Sequence, residues 1–171
     1  MKLSYNWALS MKEILLIVLC SFLLGCGFQL RGTESASIPF ESVYISALEG
    51  EPIITELKHS IQNSGKTKVL DKPLDAEAIL HIISVKYTKH IWSISGSGRV
   101  REFQLRYRVS YRLADSNGLE IVPPSVVNLS RILPYADAQV LAKQEEEKML
   151  KREMYRDASQ QIIRRLSKSQ R

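Results

Sequence analysis

Histidine and cysteine are scarce in this chain, three and two among 171 residues. Two cysteines exclude a disulfide scaffold, and so few soft ligands leave no zinc ribbon or finger. Both cysteines, Cys20 and Cys26, fall in the first 26 residues, so the remainder has no thiol for catalysis. His59 lies in a helical segment, while His81 and His90, nine apart in one strand, are expected on opposite faces. HExxH, CxxC and carboxylate clusters with ligand spacing are all missing, so no catalytic residue, metal or cofactor is expected. Gly96-x-Gly98 lacks the rest of a dinucleotide fingerprint and reads as a hairpin turn. The apolar run at residues 14–24 has eleven residues, against the roughly 20 needed to span a bilayer.

What is present suffices for one core. The chain is 44% hydrophobic and 25% charged, with 2 Trp, 7 Tyr and 4 Phe, and its length fits a single domain. The run at 14–24 has signal-peptide length and is followed by Leu23-Leu24-Gly25-Cys26, which resembles a bacterial lipobox. Residues 1–25 are therefore expected to be a lipoprotein signal, and Cys26 the acylated first residue of the mature chain, carrying palmitate-type acyl groups. The alternative is an ordinary secretory signal with an incidental cysteine. Translation can start at Met1 or at Met11, which opens a compact signal of its own. Gly27 in place of Asp fits an outer-membrane destination. Removing Lys2, Lys12 and Glu13 leaves 22 basic and 17 acidic residues.

After a polar tether at residues 26–37, a domain over 38–171 is expected to run strand, helix, three strands, helix. Val43, Ile45 and Ala47 alternate as in a strand, and Pro52 opens a helix over about 52–63 with Ile54, Leu57 and Ile61 at helical spacing. Residues 76–94 read as a strand with Ile79, Ile83, Val85, Tyr87 and Ile91 on one face. Phe103, Leu105, Tyr107, Val109, Tyr111 and Leu113 alternate with polar residues over 99–114, the clearest period in the chain. Asp115-Ser116-Asn117-Gly118 is a turn, and Pro123-Pro124 marks an edge strand or a bulge before 126–133. The last helix, over 138–166 and capped by Asp137, carries Leu150, Met154, Ala158, Ile162 and Leu166 every fourth residue, with Leu141 near the stripe. Glu145, Glu146 and Glu147 read as a solvated face. Asn128-Leu129-Ser130 matches a glycosylation sequon that has no meaning inside a strand of an exported bacterial lipoprotein. Arg99, Arg101, Arg106, Arg108 and Arg112 lie in one hairpin arm, either as the wet face of a half-buried sheet or as contacts to phosphate. An exported, tethered domain does not meet nucleic acid, so phosphorylated lipid is the better anionic candidate.

Cys26-Gly27-Phe28-Gln29-Leu30-Arg31-Gly32 resembles the mature N-terminus of the LptE family of LPS-assembly lipoproteins. The resemblance continues through Glu102-Phe103-Gln104-Leu105, Leu141-Ala142-Lys143, Lys151-Arg152-Glu153-Met154-Tyr155 and Ile163-Arg164-Arg165-Leu166. It implies an α+β fold with two helices packed on one face of a four-stranded, mostly antiparallel sheet. It also implies a non-enzymatic protein, lipid-anchored in the outer membrane, that plugs and helps assemble the β-barrel LptD and binds lipopolysaccharide on its way to the outer leaflet. Of the family's two LPS-contacting basic positions, Lys143 matches one and is expected to be solvent-accessible. The other falls in a loop that reads Ser95-Gly96-Ser97-Gly98 here, leaving Arg99 and Arg101 as substitutes. Competing readings are an adaptor lipoprotein of another envelope machine, without lipid recognition, and a tethered periplasmic enzyme.

Overall fold

The computed structural model describes residues 38–47, 50–63, 65–136 and 140–169; the expectations for the signal, Cys26, the tether and the Asp137 cap lie outside them. Strand β1 (Ser42–Ser46) buries Val43 and Ile45. Helix α1 (Pro52–Asn63) starts on Pro52, where the missing N–H costs nothing, and buries Ile53, Leu57 and Ile61. A short strand β2 (Lys68–Leu70) follows, then a 3-10 turn at Pro73–Asp75. Three long strands, β3 (Ala78–Ile94), β4 (Val100–Asp115) and β5 (Glu120–Pro134), form an antiparallel meander, and helix α2 (Val140–Leu166) closes the domain.

The sheet has five strands in the order β2-β1-β3-β4-β5, and β1 runs parallel to both neighbours. The α+β class agrees with the sequence reading, whereas the four-stranded, mostly antiparallel sheet does not: the sheet is mixed. Strand β2 has only three residues between Gly65 and Pro73, too few for alternation to show. Thr67, just before it, is buried and donates its hydroxyl to the Phe40 carbonyl at 2.9 Å, which fixes the chain entering β1.

Strand β4 behaves as its alternation requires. Leu105, Tyr107, Val109, Tyr111 and Leu113 are all buried, and the residues between them face the other side. In β5 the pairing jumps from Tyr111↔Ser125 to Leu113↔Val122, so Pro123 and Pro124 occupy a bulge on an edge strand.

Strand β3 departs from the expected parity. Its buried residues are Ala78, Leu80 and Ile82, while Ile79 is only partly buried and Ile83 is half exposed. Pairing steps from Ile82↔Tyr111 directly to Ser84↔Ser110, so Ile83 is the extra residue of a bulge. One added residue moves every later side chain to the opposite face, which is why Val85 and Tyr87 pack on the core from odd positions.

Helix α2 packs Met154, Ala158, Ile162 and Leu166 against the sheet, all fully buried. Leu141 does not share that stripe and is 79% exposed. It lies nine residues before Leu150, about half a turn away at 100° per residue. Among the described residues no helix is long and apolar enough to cross a membrane.

Candidate functional site

Both helices cover one face of the sheet. On that side the stripe of α2 continues toward its N-terminus as charge rather than as apolar surface: Glu147 and Lys143 precede Met154 by seven and eleven residues, each within about 20° of it around the helix. Glu147 is therefore not solvated. Its side chain is 17% exposed; it accepts the Tyr87 hydroxyl at 2.8 Å and Lys89 Nζ at 2.7 Å, with Lys151 Nζ at 3.5 Å. Burial pushes its carboxyl up, but the hydrogen bonds from Lys89 and Tyr87 and the charges of Lys89 and Lys151 outweigh this and hold it below the usual 4.5. Burial, and then the same carboxylate, drives the Tyr87 hydroxyl far above its usual 10.0, so it stays a donor. Lys89 also sits 4.3 Å above the Phe103 ring, and Lys151 4.1 Å above Tyr87.

Lys143 belongs to this cluster. Its side chain is 17% exposed, against the expectation of an accessible lysine, and its Nζ lies 2.7 Å from Glu146 Oε2. A cavity of about 190 Å³ opens beside it, with Lys89, Phe103, Tyr135 and Glu147 in its wall. Arg101 reaches this neighbourhood through its backbone only: its carbonyl accepts the Tyr135 N–H at 2.8 Å, and Tyr135 meets the Phe103 ring edge-on at 5.2 Å. Arg99 sits at the hairpin tip, where its carbonyl accepts the Ser95 N–H at 2.7 Å and Gly98 takes the φ of +80° that the turn requires. Both arginines are exposed. The structure thus brings Lys143 to Lys89 and Glu147, and leaves Arg99 and Arg101 at the adjoining end of the meander.

Among the described residues no helix covers the other face of β3–β4–β5. Directly paired residues share a face, so Lys86, Arg108 and Asn128 form one rung across the three strands, Thr88, Arg106 and Ser130 the next, and His90, Gln104 and Ile132 a third. A cavity of about 510 Å³ lies along these rungs, bounded by side chains that include Lys86, His90, Arg106 and Arg108. Arg106 Nε donates to Gln104 Oε1 at 2.5 Å. His81 pairs with Arg112 and His90 with Gln104; the Ile83 bulge puts both histidines on this one face rather than on opposite ones. Burial, then the Arg112 charge, draws His81 below its usual 6.5.

Reading residues 76–94 with one parity hid Lys86 as a partner of Arg108, and no local signal marks the bulge. Glu147 reads as solvated in the sequence, although its helical angle coincides with the buried stripe and is the signal that could have placed it. Among the described residues neither face assembles a nucleophile with a base, and no three His, Cys, Asp or Glu side chains group as metal ligands. The helix-covered face presents Lys89, Lys143 and Lys151 paired with Glu146 and Glu147, and the other face presents Lys86, Arg106 and Arg108.

The family model for LptE, described as lipopolysaccharide-assembly, matches residues 40–166. The chain belongs to the LptE family. Its relatives include the LPS-assembly lipoprotein LptE of Yersinia enterocolitica, 28% identical over 144 residues that make up 83% of this chain and 68% of the relative, and that of Pectobacterium atrosepticum, 26% identical over 143 residues, 83% and 77%. Among solved structures, the solution structure of an uncharacterized lipoprotein B from Nitrosomonas europaea has a TM-score of 0.72 at 46% identity, covering 82% of this chain and 90% of that one. The rare lipoprotein B from Shewanella oneidensis shares the fold, with a TM-score of 0.64 at 20% identity over 74% and 93%. LptE membership makes the chain an LPS-assembly lipoprotein with a non-enzymatic role.

Proposed function

We propose that this protein is an outer-membrane lipoprotein that plugs and helps assemble the LptD β-barrel and binds lipopolysaccharide during delivery to the outer leaflet. In this reading residues 1–25 are the signal, Cys26 carries the lipid anchor, 26–37 are the tether, and 38–171 are the LptE domain. The observation that carries it is the family match over residues 40–166. The helix-free face of β3–β4–β5 supports it physically: three strands of polar and basic side chains suit the polar lumen of a large barrel, where an apolar face would not. Lys143 is the proposed LPS contact, with Arg99 and Arg101 as weaker ones.

Extraction in mild detergent, without cross-linking, tests the partnership: a folded barrel protein is expected to copurify with this chain in fixed stoichiometry. Recovery of the lipoprotein alone from cells containing the folded barrel would favour the adaptor reading. Mass spectrometry of the mature chain tests the anchor, expected as an acylated Cys26 at the N-terminus; a single acyl chain anchors only marginally, so several are expected.

A further inference from the structure

We propose that the helix-free face of β3–β4–β5 is itself a binding site for the phosphate groups of an amphiphilic lipid, with Arg106, Arg108 and Lys86 supplying the cations. The inference rests on the lipopolysaccharide reading above and assigns that ligand a second place on the molecule, apart from Lys143. Three observations carry it. First, charge is one-sided: Lys86, Arg108 and Arg106 occupy adjoining positions on neighbouring rungs, and no carboxylate occurs on the rungs from Ser84↔Ser110 to His90↔Gln104 or on their β5 partners. Second, the remaining positions are short hydrogen-bonding side chains, Thr88, Asn128 and Ser130, beside a cavity of about 510 Å³, so a tetrahedral anion can take guanidinium forks and neutral donors together. Third, polarity changes along the strands. The next rung ends in Ile132, 40% exposed, and Trp92, the extra residue of a second bulge in β3 just beyond it, is 56% exposed; the carboxylate of the rung that follows, Ser93↔Glu102, accepts the Ser93 hydroxyl at 2.6 Å. A row of cations followed by exposed apolar side chains matches a ligand with a phosphorylated head and hydrocarbon tails.

The test titrates the full lipoprotein in detergent with lipopolysaccharide and with the same lipid stripped of its phosphates. Arg106→Gln with Arg108→Gln is expected to weaken binding of the phosphorylated lipid by about tenfold or more, because each charge-assisted fork is lost from an exposed face. The pair Arg156→Gln with Arg164→Gln on α2 removes the same charge elsewhere and is expected to leave binding unchanged. Both variants change exposed residues, and an unaltered melting temperature confirms that the fold persists. Equal weakening by both pairs, unchanged binding with Arg106 and Arg108 replaced, or equal binding of the stripped lipid by the unmodified protein would each overturn the site. Loss of barrel copurification with lipid binding intact would also overturn it, making the face a contact with the barrel wall. Failure of the unmodified protein to bind lipopolysaccharide at all would instead overturn the lipid reading beneath it.

Discussion

Lys143 and Glu146 are three residues apart on one helix and already satisfy one another, so a phosphate arriving at Lys143 must displace a carboxylate. The proposed contact then has an internal competitor. Glu146→Gln is expected to tighten lipopolysaccharide binding by a few-fold, about 0.5–1 kcal/mol, the worth of a partly exposed pair. Lys143→Gln is expected to weaken binding while the melting temperature barely moves; no change with either substitution would remove Lys143 from the site. Glu147 has the opposite character, because its neighbours hold it rather than compete for it. Its folded carboxyl titrates below 4.5, so the stability it contributes is present above that value and is lost as pH falls through the lower folded value. Glu147→Gln is expected to cost about 1 kcal/mol at neutral pH and to flatten the acid limb of the stability profile. Denaturant midpoints measured from pH 7 to pH 3 check this, and parallel profiles for the two proteins would contradict the assignment.

Among the elements, β4 and β3 show what alternation can and cannot reveal. Tyr107 is buried and Arg108 beside it exposed, as the pattern of β4 implies. Tyr107→Asp is expected to cost about 3 kcal/mol or more through a buried unpaired carboxylate, and Arg108→Asp under about 1 kcal/mol. Calorimetry decides it, and equal losses would mean the faces are misassigned. In β3 the extra residue can be tested by removing it. Without Ile83, Ile82 would face Tyr111, Ser84 would face Ser110 and Val85 would face Val109 without interruption. Deleting Ile83 is therefore expected to give a folded protein with a modest loss, about 1 kcal/mol, whereas deleting Ser110 inverts half of β4 and is expected to abolish cooperative unfolding. The same contrast explains what sequence reading recovered. Helix α1, the faces of β4, the Asp115 turn and the Pro123-Pro124 bulge each have a local chemical cause. The Ile83 bulge and the three-residue β2 depend on neighbours distant in sequence, so β2 was missed and the basic rungs of the helix-free face went unassembled. Leu141 was placed on the stripe of α2 because its chemistry outweighed its angle.

At the scale of the whole molecule, a plug inside a barrel would bury far more than a pairwise contact does. The proposed complex is expected to exceed ~1,600 Å² of buried surface, and solvent-accessibility footprinting should protect Lys86, Arg106 and Arg108 only partially if that face still meets lumen water. The topology has a separate consequence for how the chain reaches its destination. Strand β1 is the first described strand in sequence, yet it lies between β2 and β3 and parallel to both. It has no neighbour until segments made later arrive, and parallel pairing of distant segments closes slowly. The β3–β4–β5 meander, joined by short turns, closes locally, so pulsed hydrogen exchange should find Tyr107 and Val109 amides protected before those of Val43 and Ile45. A chain that emerges N-terminus first, as chains do during synthesis, therefore cannot lock β1 into the sheet while the meander is still to come. In the exported lipoprotein proposed above, that delay would keep β1 threadable through a translocation channel, and its folding would wait for passage to finish.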